Sequence, residues 1–221
     1  MIIELIHEAL IAHHFINVLE TPSARFYCRE SSSAVRFVIL HELEELIDPS
    51  RLNAAMNQLV PEVFSSNPSF RKNCDLICMH HLKQLADFKN HEEKIFSIEE
   101  DPHFFKKYVL YYSDAEDGTL RDQSYKDIQA TIADKALFDQ YKDQPLTATQ
   151  YSVAAKIFIK LPFLELPFVK RELVPLRMQA QGAVSEVGLT ATYESIQKLN
   201  KNNLESLIKG MIDDELENIK D

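Results

Sequence analysis

Apolar side chains recur along most of this chain every three or four residues, as they do on a helix with one face in a protein core. After Asn67-Pro68, for example, Phe70, Cys74, Ile77 and His81 follow at these intervals. The pattern predicts helices over residues 2–19, 33–47, 49–60, 68–96 and 103–112.

Signals for the beginning of a helix support this interpretation. Asp48-Pro49 combines an N-cap residue with a first-turn proline. Ser124 can cap another helix, and Thr147-x-x-Gln150 has the form of a capping box. A final helix is predicted to begin near Thr190, whereas residues 113–123 are polar and predict an exposed loop.

The predicted fold is an all-α, single domain of about eight to ten helices that covers residues 1–221. Only four glycines occur in the chain, which is few for an all-β protein with many tight turns. No internal repeat, low-complexity tract or linker divides the sequence.

Composition limits the classes of partner. The formal net charge of -10 disfavours general binding to nucleic acid, which depends on neutralising phosphates, so protein partners are expected. Three cysteines cannot all pair, and a cytoplasmic location is favoured. We expect no signal peptide, because the N-terminus lacks a basic leader, and no membrane-spanning segment.

Two sets of side chains resemble metal ligands. Cys74, Cys78 and His81 would share one face of a helix, where zinc would need a fourth ligand. A di-iron site would need two Glu-x-x-His motifs, but only Glu4-x-x-His7 is unbroken, because the second candidate contains Pro102. Both sets are better explained as parts of helix faces, so we predict that the protein contains no metal.

Residues 26–36, with the sequence FYCRESSSAVR, resemble a motif of the Ras GTPase-activating proteins, roughly L-F-R-x-N-S-x-A-[ST]-K. Phe158-Ile159-Lys160 and Ile196-Gln197-Lys198-Leu199 resemble later motifs of that family. The resemblance implies an all-helical domain that supplies an arginine finger to a small GTPase. The GTPase itself would hold GTP and Mg²⁺, so the chain would need no cofactor.

The resemblance also assigns roles to individual residues. Arg29 would be the finger, on a loop before a helix, and Lys160 would brace it where the family has an arginine. Phe158, Gln197 and Ser32 would contact or position the partner. A lysine cannot form the two-pronged contacts of arginine, so weak activity is expected.

The alternative is a non-catalytic helical module that binds another protein. The acidic C-terminus, GMIDDELENIKD, resembles the signals of bacterial type IV secreted effectors. This similarity adds the possibility of an effector that acts in a host cytosol.

Overall fold

Five β-strands form one sheet in the part of this protein that the structure describes, in the order β1-β2-β3-β4-β5. β1, β2 and β3 pair antiparallel, whereas β3, β4 and β5 pair parallel. The sheet therefore has an antiparallel half and a parallel half, and its two edges are β1 and β5. The strands are β1 (Ile16–Glu20), β2 (Ala24–Glu30), β3 (Val35–Glu42), β4 (Cys74–Leu82) and β5 (Lys106–Ser113).

The structure is a computed structural model that describes residues 1–31, 34–167, 175–198 and 204–218. The chain divides into two compact units, Met1–Phe168 and Val169–Asp221. The helices described in the first unit are α1 (Ile2–Ala12), α2 (Pro49–Leu59), α3 (Glu62–Ser65), α4 (Phe88–Glu100), α5 (Asp114–Thr119), α6 (Tyr125–Ala133), α7 (Lys135–Asp143) and α8 (Gln150–Lys160). Short 3-10 turns lie at Phe70–Lys72 and Leu85–Asp87.

Helices cover both faces of the sheet, so the first unit has three layers. Apolar residues of α1, α6 and α8 pack in one cluster with Val38, Leu40 and Leu110 of the strands. Residues of α2, α3 and α4 pack in a second cluster with Phe37 and Val109. Neighbouring strand residues thus belong to opposite clusters, as the alternation of a strand requires.

The prediction of an all-α fold is wrong, because the protein is about 55% helical and also has a mixed sheet. β3 and β4 are buried on both faces: of the nine residues of β4, only His81 is exposed. A strand with two buried faces has a nearly continuous apolar sequence, and such a run also contains matches at helical spacing.

Local start signals predicted some helices correctly. Asp48 accepts a hydrogen bond from the Ser50 amide, and α2 begins at Pro49 as expected. Ser124 caps α6 in a capping box with Asp127. The predicted box at Thr147 is wrong, because Thr149 caps α8 instead. The predicted loop over residues 113–123 contains the short helix α5.

The second unit contains three helices in its described residues, α9 (Leu176–Glu186), α10 (Thr190–Gln197) and α11 (Leu204–Asn218). α10 begins at Thr190 as predicted, but it is not the final helix, because it ends at Gln197 and α11 follows. Among the side chains described in this unit, none is buried. Across the described residues of the whole chain, no helix is both long and apolar enough to span a bilayer. The prediction of a single domain stays a prediction.

Candidate functional site

Arg29, the predicted arginine finger, lies in strand β2 opposite Arg36 of β3. Its Nη1 donates a hydrogen bond to the carbonyl oxygen of His13 at 3.1 Å. The guanidinium lies 4.7 Å from the centre of the Phe15 ring. The predicted loop before a helix is therefore wrong, because β3 continues the sheet where the helix was expected.

The other predicted site residues lie in separate surroundings. Lys160, in α8, donates a hydrogen bond to Glu99 of α4. Its described partner is therefore this carboxylate and not a residue next to Arg29 in β2. Phe158 is partly buried and packs against the first core cluster. Gln197 is exposed on α10, and Ser32 lies outside the described residues. The roles assigned to these residues toward a GTPase stay predictions.

The suggested metal ligands lie in a strand and not on a helix. Cys74 and Cys78 are buried on one face of β4, and His81, on the other face, is exposed and bonded to Asp114 at 2.7 Å. Burial raises the pKa of Cys78 to about 12 and raises that of Cys74 well above its usual value. No three His, Cys, Asp or Glu side chains form a metal-binding group in the described part of the chain.

A cleft of about 400 Å³ lies beside the outer edge of β5, which is a volume typical of ligand-binding clefts. β5 contributes its central residues, α4 contributes Phe88, and α8 contributes two lysines and an isoleucine. Every lining residue belongs to the first unit. The lining consists of Leu85, Phe88, Val109, Leu110, Tyr111, Tyr141, Pro145, Leu146, Lys156, Ile159 and Lys160.

Three backbone amides follow the outer edge of β5. The Val109 amide donates a hydrogen bond to Oε1 of Glu99 at 2.8 Å. The Ser113 amide donates one to Oε2 of Glu116 at 3.1 Å. Because the amides of alternate strand residues point to the same edge, the Tyr111 amide between them also faces away from β4. Two carboxylates thus occupy positions where carbonyl oxygens of a sixth strand would lie.

Two lysines one turn apart on α8 neutralise these carboxylates. Nζ of Lys156 lies 2.6 Å from Oε1 of Glu116 and 2.8 Å from Oε2. Nζ of Lys160 lies 2.5 Å from Oε1 of Glu99. Glu116 is fully buried, with a side-chain exposure of 0%. Two Lys–Glu pairs, from α8 to α5 and from α8 to α4, therefore bracket the Tyr111 position.

Aromatic rings form one wall of the cleft. The Tyr111 ring stacks on Phe88 with centroids 4.4 Å apart and an angle of 27° between the planes. Nζ of Lys156 lies 4.6 Å from the centre of the same Tyr111 ring. Burial raises the pKa of Tyr111, and nearby Glu116 and Glu99 add to this shift. Burial lowers the pKa of Lys156, and the hydrogen bond to Glu116 opposes that change.

The chemistry of the cleft favours binding an uncharged group. Its two lysines are each paired with a carboxylate, and its described lining has no serine, cysteine or histidine that would act as a nucleophile or base. Two apolar residues at the cleft are strongly exposed, Leu146 at 84% and Ile159 at 71%. Such residues lose water when a partner covers them, which stabilises association.

The sequence pattern does not predict this site. Glu116 lies in the segment predicted to be an exposed loop, and no motif includes Lys156. One signal was available, since Lys156 and Lys160 lie one turn apart in a part of α8 whose other residues, from Val153 to Ile159, are apolar. Long cationic side chains in such positions commonly reach a partner or water. The partners themselves come from α4 and α5, and only the tertiary structure brings them there.

The fold and the cleft together define an α/β protein with a mixed sheet and a largely apolar cleft at the parallel edge. Residues 35–136 are similar to the family described as ABC-three component (ABC-3C) system Middle Component 1. This match begins at β3 and ends in α7, and it covers fewer than half of the 221 residues. No curated protein and no solved structure matches the chain.

The resemblance to Ras GTPase-activating proteins is wrong. The family that matches is a different one, and an all-helical domain cannot contain the five-stranded sheet. The FYCRESSSAVR segment, which suggested the resemblance, forms most of β2 and the beginning of β3. GTPase activation and the secretion signal have not been tested and stay predictions.

Proposed function

We propose that this chain is a protein-binding component of an ABC-three component system, in the position of the middle component. The similarity of residues 35–136 to that family carries the proposal. The matched residues form the parallel half of the sheet together with α2 to α6, which is a continuous structural region and not a short motif. A component of a three-part system is expected to bind at least one of the other two.

The described surface supports a binding role. The cleft beside β5 lies partly in the matched region, and each of the two lysines in its described lining is paired with a glutamate. Its exposed apolar residues, Leu146 and Ile159, suit contact with another protein. The formal net charge of -10 for the chain favours a protein partner over nucleic acid.

Co-purification tests this function. The chain is coexpressed with the other two components of an ABC-three component system from the same genome, each carrying a different affinity tag. We expect the chain to elute with at least one of them in size-exclusion chromatography after affinity capture. Elution of the chain alone, with both other components folded and present in excess, would contradict the proposal.

A further inference from the structure

The outer edge of β5 lies between two Lys–Glu pairs, Lys156–Glu116 and Lys160–Glu99. Resting on the proposed function of this chain as a protein-binding component, we infer that the cleft binds an extended, apolar segment of a partner protein. That segment pairs with β5 around Tyr111 as a short additional strand. Strand addition of this kind combines backbone hydrogen bonds with pockets for alternate side chains.

The backbone of β5 sets the length of the segment. The amides of Val109 and Ser113 are already bonded to Glu99 and Glu116, so the part of the edge left for a partner strand lies between them. From residue 109 to residue 113 a strand extends about 13 Å, which accommodates about three residues of a partner. The Tyr111 amide donates to the partner strand, and a carbonyl group of the same edge accepts from it.

The charges of the cleft set the chemistry of the segment. Both lysines are neutralised by glutamates, and Glu116 is fully buried. A charged side chain that entered here would lose water without gaining a free partner, which is unfavourable. An apolar or aromatic side chain instead covers Leu146 and Ile159 and packs against the stacked rings of Phe88 and Tyr111.

The opposite edge of the sheet is less suited to strand addition. β1 has five residues, and its register shifts between Asn17 and Leu19, which places a bulge at Val18. A bulge interrupts the regular spacing of edge amides and is a common protection against unwanted pairing. Ile16 of this edge is nevertheless 67% exposed, so it provides a matched control for Ile159 at 71%.

The experiment measures the affinity of the whole chain for the purified partner component with which it co-elutes. Ile159→Arg and Leu146→Arg introduce a charge at the cleft, and Ile16→Arg introduces the same charge at the other edge. We expect the first two to weaken binding by at least about tenfold, as substitutions at an interface hot spot do, and Ile16→Arg to change it by less than about twofold. Unchanged circular dichroism and melting temperature confirm that each variant is folded.

A second measurement separates strand addition from other modes of docking. Overlapping peptides that cover the partner component are tested for binding, and the tightest is resynthesised with single N-methyl groups at successive positions. We expect N-methylation at one alternate set of positions to abolish binding. We also expect the hydrogen of the Tyr111 amide to exchange with solvent more slowly in the complex than in the free chain.

The outcomes distinguish the two proposals. If the chain binds neither other component, the proposed function fails. If it binds a component but Ile16→Arg weakens the complex and Ile159→Arg does not, the function stands and this inference is overturned. Binding that survives every N-methylation, or a Tyr111 amide that exchanges at the same rate in the complex, also overturns it.

Discussion

The two edges of the sheet are closed in different ways. At β5, Glu99 and Glu116 accept hydrogen bonds from the strand, and lysines of α8 hold both carboxylates in place. At β1, among the described residues, no carboxylate paired with a lysine accepts a hydrogen bond from an amide of the strand. The edge is instead short and bulged, and it exposes Ile16 at 67%.

This difference shows that an exposed apolar side chain and an accessible backbone are separate properties. β1 exposes the apolar side chains of Ile16, Val18 and Leu19, but its bulge interrupts the backbone pattern that a partner strand would need. At β5, carboxylates accept from the amides of Val109 and Ser113, and the amide of Tyr111 lies between them on the same edge. A binding site at β5 would therefore be defined mainly by which amides the carboxylates leave free.

The largest expected effect is at the buried pair of the β5 edge. Lys156→Met removes the partner of the fully buried Glu116 and should lower the free energy of unfolding by about 3–5 kcal/mol. At the β1 edge, Glu20→Gln removes one exposed partner of Arg25 and should cost about 0–1 kcal/mol. Urea denaturation measures both. A double variant, Lys156→Met with Glu116→Gln, should recover much of the loss; equal costs at the two edges would contradict the comparison.

A smaller effect is expected at Glu99, which is 18% exposed and accepts from the Val109 amide as well as from Lys160. Glu99→Ala leaves the Val109 amide without this acceptor and should cost about 1–3 kcal/mol. Glu99→Gln keeps an acceptor oxygen and should cost less. Hydrogen exchange of the Val109 amide checks the cause, since it should speed up in Glu99→Ala; unchanged exchange would show that the carboxylate does not protect this edge.

The pH dependence of stability should involve both halves of the sheet. Burial lowers the pKa of His41, bonded to the Ser23 carbonyl, and of His80, bonded to the Leu43 carbonyl. Below a pH of about 6.5 the unfolded chain takes up protons that the folded chain does not, so stability falls as the pH decreases from there. The free energy of unfolding cannot change by more than about 1.4 kcal/mol per pH unit for each histidine.

His41→Asn tests this dependence in the antiparallel half, since it keeps a donor for the Ser23 carbonyl but does not titrate. We expect denaturation curves between pH 5 and pH 7 to show a shallower dependence for this variant. If the free energy of unfolding changes with pH equally in the unchanged protein and in His41→Asn, protonation of His41 does not contribute to the pH dependence.

The smallest effect is expected from two exposed apolar residues, Ile16 of β1 and Ile159 of α8 beside β5. Ile16→Lys and Ile159→Lys should each change the free energy of unfolding by no more than about 0.5 kcal/mol, because both side chains are mostly exposed. Thermal melts of the two variants measure this. A loss of 2 kcal/mol in either would show that the side chain supports the fold and would remove it as a probe of partner binding.

Local signals in the sequence were more reliable than periodicity. The N-caps at Asp48 and Ser124 depend on bonds to residues two or three positions away, and both form as predicted. Helical periodicity failed in the buried strands β3 and β4, whose continuous apolar runs satisfy several periods at once. The predicted loop at Arg29 depended on a helix after it, and strand β3 lies there instead.

The sequence by itself determined where several helices begin, that protein partners are more plausible than nucleic acid, and that the interior is apolar. Only the tertiary structure decided that β5 would be an edge and that Glu99, Glu116, Lys156 and Lys160 would meet there. These four residues come from three helices, and Glu99 and Lys160 are separated by 61 positions along the chain. Periodicity and capping report contacts within about one turn, whereas the pairing of distant elements depends on which buried surfaces fit together.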